Sequence, residues 1–322
     1  VSQLLQVLTI SLPLFLLIGF GALIRRKGLL TDAAHVFVSR FVYLFSLPIL
    51  IYLGVATQDF RALLDISVIS ITLLASFFAV VLFWLGTKNL PPRLRGPVVV
   101  GSYLGNLSYL GFPLAMSAFG DIGLTYAGVI NAFTMPVYIV GGVLILSLGH
   151  ARPGMLARQF RAVLLNPIVL AAVFGLVTSL ILNETPLRQR VLSLPLLPDL
   201  LKIVLDTAKM IANMGMPLAL IAIGAALRFE YIRGRLALMS LGAFGKLLLT
   251  PLFTLLLGRW FFPHMPPAAL GTAVLLMASP LSVGIYVISK QMDTDSDFLA
   301  GELALSTLCA AATIPLWLYI IM

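Results

Sequence analysis

Residues 105–114 read Gly105-Asn106-Leu107-Ser108-Tyr109-Leu110-Gly111-Phe112-Pro113-Leu114. The run sits in the middle of an apolar stretch long enough to cross a bilayer, which takes about 20 residues. A break at that depth frees backbone N–H and C=O groups where no water satisfies them. It is tolerated only where it is buried in protein or lines a cavity. In transporters built from interrupted helices such a break marks the substrate site. This run is therefore the strongest functional clue in the chain.

The surrounding composition puts the run in a membrane. Of 322 residues, 60% are hydrophobic and 10% are charged, with a mean hydropathy of +1.07. A soluble domain needs far more charge to cover its surface. The longest polar interruption is Asn183–Asp199, too short for a separate module. The expectation is an all-α polytopic membrane protein, a single transmembrane domain over residues 1–322. Net charge is +9, but the Lys and Arg lie in short clusters between apolar segments, as orientation signals do. The lipid bilayer is thus the expected partner, not nucleic acid. Cys309 is the one cysteine, and His35, His150 and His264 stand far apart, so no disulfide, metal site or cofactor is expected. The first apolar segment lacks a basic leader and reads as a retained span.

Ten apolar stretches have spanning length, at approximately 3–24, 34–57, 63–87, 97–118, 123–148, 161–182, 206–227, 235–258, 267–289 and 298–321. The loops after odd-numbered spans hold Arg25, Arg26, Lys27, Lys88, Arg93, Arg95, Arg152, Arg158, Arg161, Arg228, Arg233, Arg235 and Lys290. The even loops hold only Arg61, Arg188, Arg190 and Arg259. Cationic loops stay inside, so both termini are expected on the extracytoplasmic face of a plasma (cytoplasmic, or inner) membrane.

Prolines recur at nearly equal spacing in the two halves, Pro48 to Pro113 and Pro217 to Pro280. That pairs span 2 with span 7 and span 4 with span 9. An odd number of spans per half inverts the second half, a transporter signature. The expected repeats run over 1–150 and 158–322, with helices 4 and 9 broken. Asn106 lies about 14 Å along span 4 from Pro97 at 1.5 Å per residue, close to the midplane. Pro113 cannot join the helix ladder, and Gly105 and Gly111 permit unusual backbone angles. In span 9, Ser279 and Pro280 reach similar depth. A half-helix restarting after each break directs its N–H groups and positive dipole end into the cavity. Two such ends favour a carboxylate. Asn106 adds an amide, and Ser102, Ser108, Tyr109, Ser279, Ser282 and Tyr286 add hydroxyls. The plainer alternative is a pair of kinks closed over by their neighbours.

Four further segments join the run at 105–113. Residues 216–227 read Met216-Pro-Leu-Ala-Leu-Ile-Ala-Ile-Gly-Ala-Ala-Leu227, and residues 246–251 read Lys246-Leu-Leu-Leu-Thr-Pro251. Ala278-Ser279-Pro280 and Leu305-Ser306-Thr307-Leu308 complete the set. Together they resemble the auxin efflux carrier family, whose bacterial branch includes malonate- and malate-permease-like proteins. Its inverted-repeat fold is shared with bile acid sodium symporters. The resemblance covers essentially the whole chain. It implies ten helices, with scaffold helices 1, 2, 6 and 7 and transport helices 3–5 and 8–10, moving as an elevator. It also implies that Asn106, Pro113 and Pro280 are the crossover residues. The cytoplasmic loop of the plant members is reduced here to about 149–160, and the bacterial branch points to small organic acids.

Five charges lie within or near spans. Lys246 falls near the centre of span 8, where an intramembrane cation is a functional candidate. It either balances an anionic substrate or serves a structural pair. Glu302 and Asp65 are each a proton or ion-coupling site or an interface anchor. Asp206 and Lys209, three apart, share a helix face. The breaks contain no Asp or Glu, so uniport, proton symport and sodium symport all stand open. The expected function is a secondary or facilitative transporter of small organic anions by alternating access, with substrate contacts at Asn106, Tyr109, Pro113, Ser279, Pro280, Ser282 and Lys246. No catalytic residues are expected, because no nucleophile has a base beside it. The alternative is a membrane ligand sensor without net transport. Gly19 and Gly21 allow close helix packing, within the chain or in a homodimer.

Overall fold

The computed structural model describes residues 2–56, 66–147, 161, 164–184, 197–232, 234–292 and 294–322. Apolar chain in lipid must satisfy its backbone internally, so the apolar runs become helices. In chain order these are α1 (Ser2–Arg26), α2 (Asp32–Ala56), α3 (Ile66–Gly86), α4 (Pro92–Gly101), α5 (Leu107–Ser147) and α6 (Pro167–Glu184). They continue as α7 (Leu197–Ala226), α8 (Leu236–Phe261), α9 (Pro267–Met277), α10 (Val283–Gln291) and α11 (Ser296–Ile321). Local chemistry sets several starts. Thr31 accepts from the N–H of Ala34 ahead of α2, Asp295 accepts from that of Phe298 ahead of α11, and α4 and α9 open on prolines.

The expected ten spanning helices are corrected to seven. Among the described residues α1, α2, α3, α5, α7, α8 and α11 are long and apolar enough to cross a membrane. The stretches read as spans 6 and 9 hold shorter apolar helices, Pro167–Ile181 and Pro267–Met277. Spans 4 and 5 are redistributed. Residues 97–101 belong to α4, and α5 runs from Leu107 through the polar gap expected near residue 120. Gly120 takes the non-helical angles φ 64° and ψ −150° there, a kink at which one helical segment gives way to the next. Hydropathy measures how long an apolar run is, not where the backbone inside it stops being helical.

The two inverted five-helix repeats with broken crossover helices 4 and 9 are corrected with that count. The prolines that suggested them have unlike surroundings. Pro48 follows a π-helical turn, Val42–Ser46, whereas Pro217 lies inside the continuous α7. Pro113 follows the π turn Leu107–Gly111, whereas Pro280 lies in non-helical chain. Conformation groups Pro48 and Pro113 with Pro251, which follows the π turn Gly245–Leu249. In all three a single residue separates the wide turn from the proline. Proline lacks an N–H and crowds the carbonyl four residues back. A wider i→i+5 turn upstream relieves that crowding. Such bonds run from the N–H of Leu47 to Val42, of Gly111 to Asn106 and of Thr250 to Gly245.

The helices pack in two neighbourhoods that meet where α5 lies against α2 and α6 and where α11 lies against α1. In one, α7 lies along α1, and α2 lies against α6 and α7. In the other, α8 packs on α3, α4, α9 and α11, while α5 covers α9. Glycines let α1 and α7 touch backbone to backbone. A Cβ on Gly21 would strike the backbone of Ile221, and one on Gly224 that of Ile18. The close approach of Gly21 is therefore made within the chain. Leu5, Leu16, Phe77, Ile203 and Val204 are exposed and form part of the lipid-facing surface. Helix α9 is apolar all round and enclosed accordingly, with Ala273, Val274, Leu275, Leu276 and Met277 fully buried. The candidate site lies at its C-terminal end.

Candidate functional site

Helix α4 ends at Gly101 and α9 at Met277, and the chain after each is non-helical for five residues before α5 and α10 begin. These two segments lie side by side. Gly105 and Leu281 form an antiparallel β-bridge. The N–H of Asn106 donates to the carbonyl of Pro280 at 2.8 Å, and that of Ser282 to Leu104 at 3.0 Å. Each break thus satisfies backbone groups that the other would leave bare in an apolar core.

The two segments are finished by the same devices. Ser102 and Ser279 donate to the carbonyls of Val99 and Leu276, at 2.7 and 2.6 Å, capping the last turns of α4 and α9. Asn106 Oδ1 accepts from the N–H of Tyr109 at 3.2 Å, and Ser282 Oγ from that of Gly284 at 3.2 Å, capping the first turns of α5 and α10. Helix starts leave N–H groups without intrahelical acceptors and carry positive partial charge. Two such starts flank the bridge. Asn106 is 4% exposed, and its Nδ2 has no hydrogen-bond partner among the described residues.

Lys246 comes to the same place from α8. It is fully buried, and its ammonium donates to the carbonyl of Met277 at 2.6 Å, at the negative end of α9. A Cβ on Gly105 would lie 2.5 Å from Lys246 Cε, 2.6 Å from Ser279 Oγ and 2.8 Å from Lys246 Nζ. The glycine is therefore needed for close approach: only a residue without a side chain leaves room for the lysine. Its backbone angle is not left-handed. The cation has no carboxylate partner among the described residues, and its burial excludes snorkelling. One cation, one amide donor and two helix starts together make a setting that complements a carboxylate.

The other expected residues have these surroundings. Pro113 lies six residues beyond the start of α5, so the helix restarts before it. Gly111 is buried where a Cβ would strike Leu276 of α9. Tyr109 is half-buried and donates to the carbonyl of Ser39 at 3.0 Å, tying the start of α5 to α2. Tyr286 lies under the Lys290 ammonium, 4.8 Å from ring centroid to Nζ. Asp206 and Lys209 pair at 3.5 Å on an exposed face. Asp65 lies outside the described residues. Glu302 is fully buried in α11, away from any hydrogen-bond partner among the described residues.

Sequence reasoning missed several contributors. Ser306 Oγ accepts from the N–H of Leu281 at 3.2 Å and so holds the second break. Thr250 donates to the carbonyl of Ser102 at 2.9 Å and so holds the first. Asn131 in α5 is fully buried with neither end of its amide partnered among the described residues. The usable signal was polarity inside an apolar run, an expensive placement in lipid.

An uncharacterized transporter of Methanothermobacter thermautotrophicus is 21% identical over 309 residues, covering 95% of each chain. A putative malonate transporter of Rhizobium meliloti is 25% identical over 330 residues, covering 98% of this chain and 96% of that one. Residues 6–152 and 154–318 match the membrane transport protein family. With its apolar helices and nearly its whole length matched, this multi-pass membrane protein belongs to the membrane transport protein family.

Proposed function

We propose that the protein is a secondary transporter of small organic anions, carboxylates of the size of malonate, working by alternating access. The observation that carries the reading is the pairing of the two breaks with Lys246 packed against Gly105 and an unpartnered Asn106 amide beside it. A substrate carboxylate would take hydrogen bonds from Asn106 Nδ2 and from first-turn N–H groups of α5 and α10. The Lys246 charge would balance it. The name of the Rhizobium meliloti relative supports the substrate class. The motion would be of elevator type, with α3–α5 and α8–α11 sliding as a unit along the contacts that α5 makes with α2 and α6 and that α11 makes with α1.

The test is counterflow of radiolabelled malonate into proteoliposomes preloaded with unlabelled mono- or dicarboxylates. Saturable exchange that is competed by carboxylates and indifferent to neutral analogues is expected. Binding of malonate to the purified protein without any flux would instead favour a ligand sensor.

A further inference from the structure

The carboxyl of Glu302 occupies a slot between two glycines. A Cβ on Gly101, the last residue of α4, would strike it, and so would a Cβ on Gly242 of α8. Glu302 is fully buried, and neither of its oxygens has a hydrogen-bond partner among the described residues. The charged and titratable groups of the elements packed on α11 are engaged elsewhere or give it no contact. Arg95 of α4 donates to the carbonyl of Trp84 and stacks on its ring. Lys246 of α8 holds Met277, and Arg235 pairs with Asp295. Lys290 of α10 covers Tyr286, and Arg25 of α1 pairs with Asp32. Arg26, Arg93, Glu230 and Tyr231 have no hydrogen bond or ion pair with Glu302.

An ionised carboxylate without donor or counter-charge is too costly to bury. The C-terminal end of α4 beside it adds negative potential. A metal cation would relieve the charge only with a cage of roughly six oxygens, whereas the slot walls are glycines. A neutral carboxylic acid fits. The walls are also the helices that carry the substrate site. Gly101 precedes Ser102, which Thr250 holds, and Gly242 lies one turn before Lys246 on the same helix face.

We propose that Glu302 carries the proton that moves with the anion. Its side chain is the acid in this closed slot, and it releases the proton as a carboxylate when the sliding unit carries the slot to an aqueous face where water enters it. One proton and one substrate anion then cross together. This rests on the anion-transport reading, so the experiment reads the acid and the flux separately. Infrared difference spectra of the reconstituted protein, wild type minus Glu302→Gln, should contain the C=O stretch of a protonated acid at neutral pH. That band needs no substrate. In proteoliposomes, malonate uptake driven by an inward proton gradient should be lost in Glu302→Gln, while malonate counterflow persists.

A missing acid band, or gradient-driven accumulation retained by Glu302→Gln, overturns the proposal. If the wild type shows no malonate flux of either kind, the carboxylate reading falls, and the infrared band alone decides whether Glu302 holds a proton. Should Glu302→Gln fail to fold, Glu302→Asp is read in the same two ways. It should shift the band and weaken the gradient response, and an unchanged band and response would overturn the proposal.

Discussion

The backbone N–H of Asn106 donates to the carbonyl of Pro280 at 2.8 Å, across the two places where the chain leaves helical form. These residues stand far apart in sequence, yet each supplies what the other lacks. Proline removes a donor and leaves its own carbonyl outside any helix ladder. Asn106 spends its N–H on that carbonyl and its Oδ1 on the start of α5, which leaves only its Nδ2 uncommitted.

Gly105→Ala should disable the site. The added methyl falls 2.5 Å from Lys246 Cε and 2.6 Å from Ser279 Oγ, so the lysine must move. Overpacking of this kind costs about 1–3 kcal/mol. A lowered Tm in detergent together with loss of counterflow is the expected result.

Lys246→Met keeps the length of the side chain and removes its charge. The carbonyl of Met277 then loses its donor in a buried place, a penalty of about 1–3 kcal/mol. Anion affinity should fall with it, read as a raised concentration for half-maximal counterflow. A variant with unchanged affinity would show that Lys246 only caps α9.

Much of this was legible from residues alone, and the reasons separate cleanly. The membrane setting follows from apolar runs such as 66–86, whose length has one physical meaning in water and lipid. Asn106 stood out because an amide in the middle of an apolar run demands a partner. The depth of Lys246 was legible for the same reason. The number of spanning helices was not, because hydropathy does not record that α4 and α9 are too short to cross by themselves or how the chain beyond them continues. The π turns before Pro48, Pro113 and Pro251 were equally hidden. A proline announces a fault in the ladder, but packing decides whether the fault becomes a wide turn, as at Pro113, or a break, as at Pro280. Ser306 and Gly242 act only through contacts with distant segments, which hydropathy does not record.

Ser306→Ala should separate structure from substrate contact. It strips the acceptor from the N–H of Leu281 without touching Asn106 or Lys246. The expected loss is about 1–3 kcal/mol for an unsatisfied buried donor. A lower Tm should appear with exchange largely preserved in the surviving protein.

Gly21→Leu tests the seam between α1 and α7. The side chain would enter the backbone of Ile221, where neither helix can retreat without losing the matching contact at Gly224. Destabilisation at or above about 3 kcal/mol is expected from forced overpacking, visible as poor recovery of monodisperse protein. Gly19→Leu meets open space at its Cβ and should be tolerated.

The most direct test of the site is the malonate counterflow rate of Asn106→Asp beside wild type, with Tm measured on the same preparations. Aspartate keeps the oxygen that caps Tyr109 and replaces the free amide donor with a negative oxygen. The expected result is a protein that still folds and whose malonate exchange is abolished. Wild-type exchange by a stable Asn106→Asp variant would contradict it.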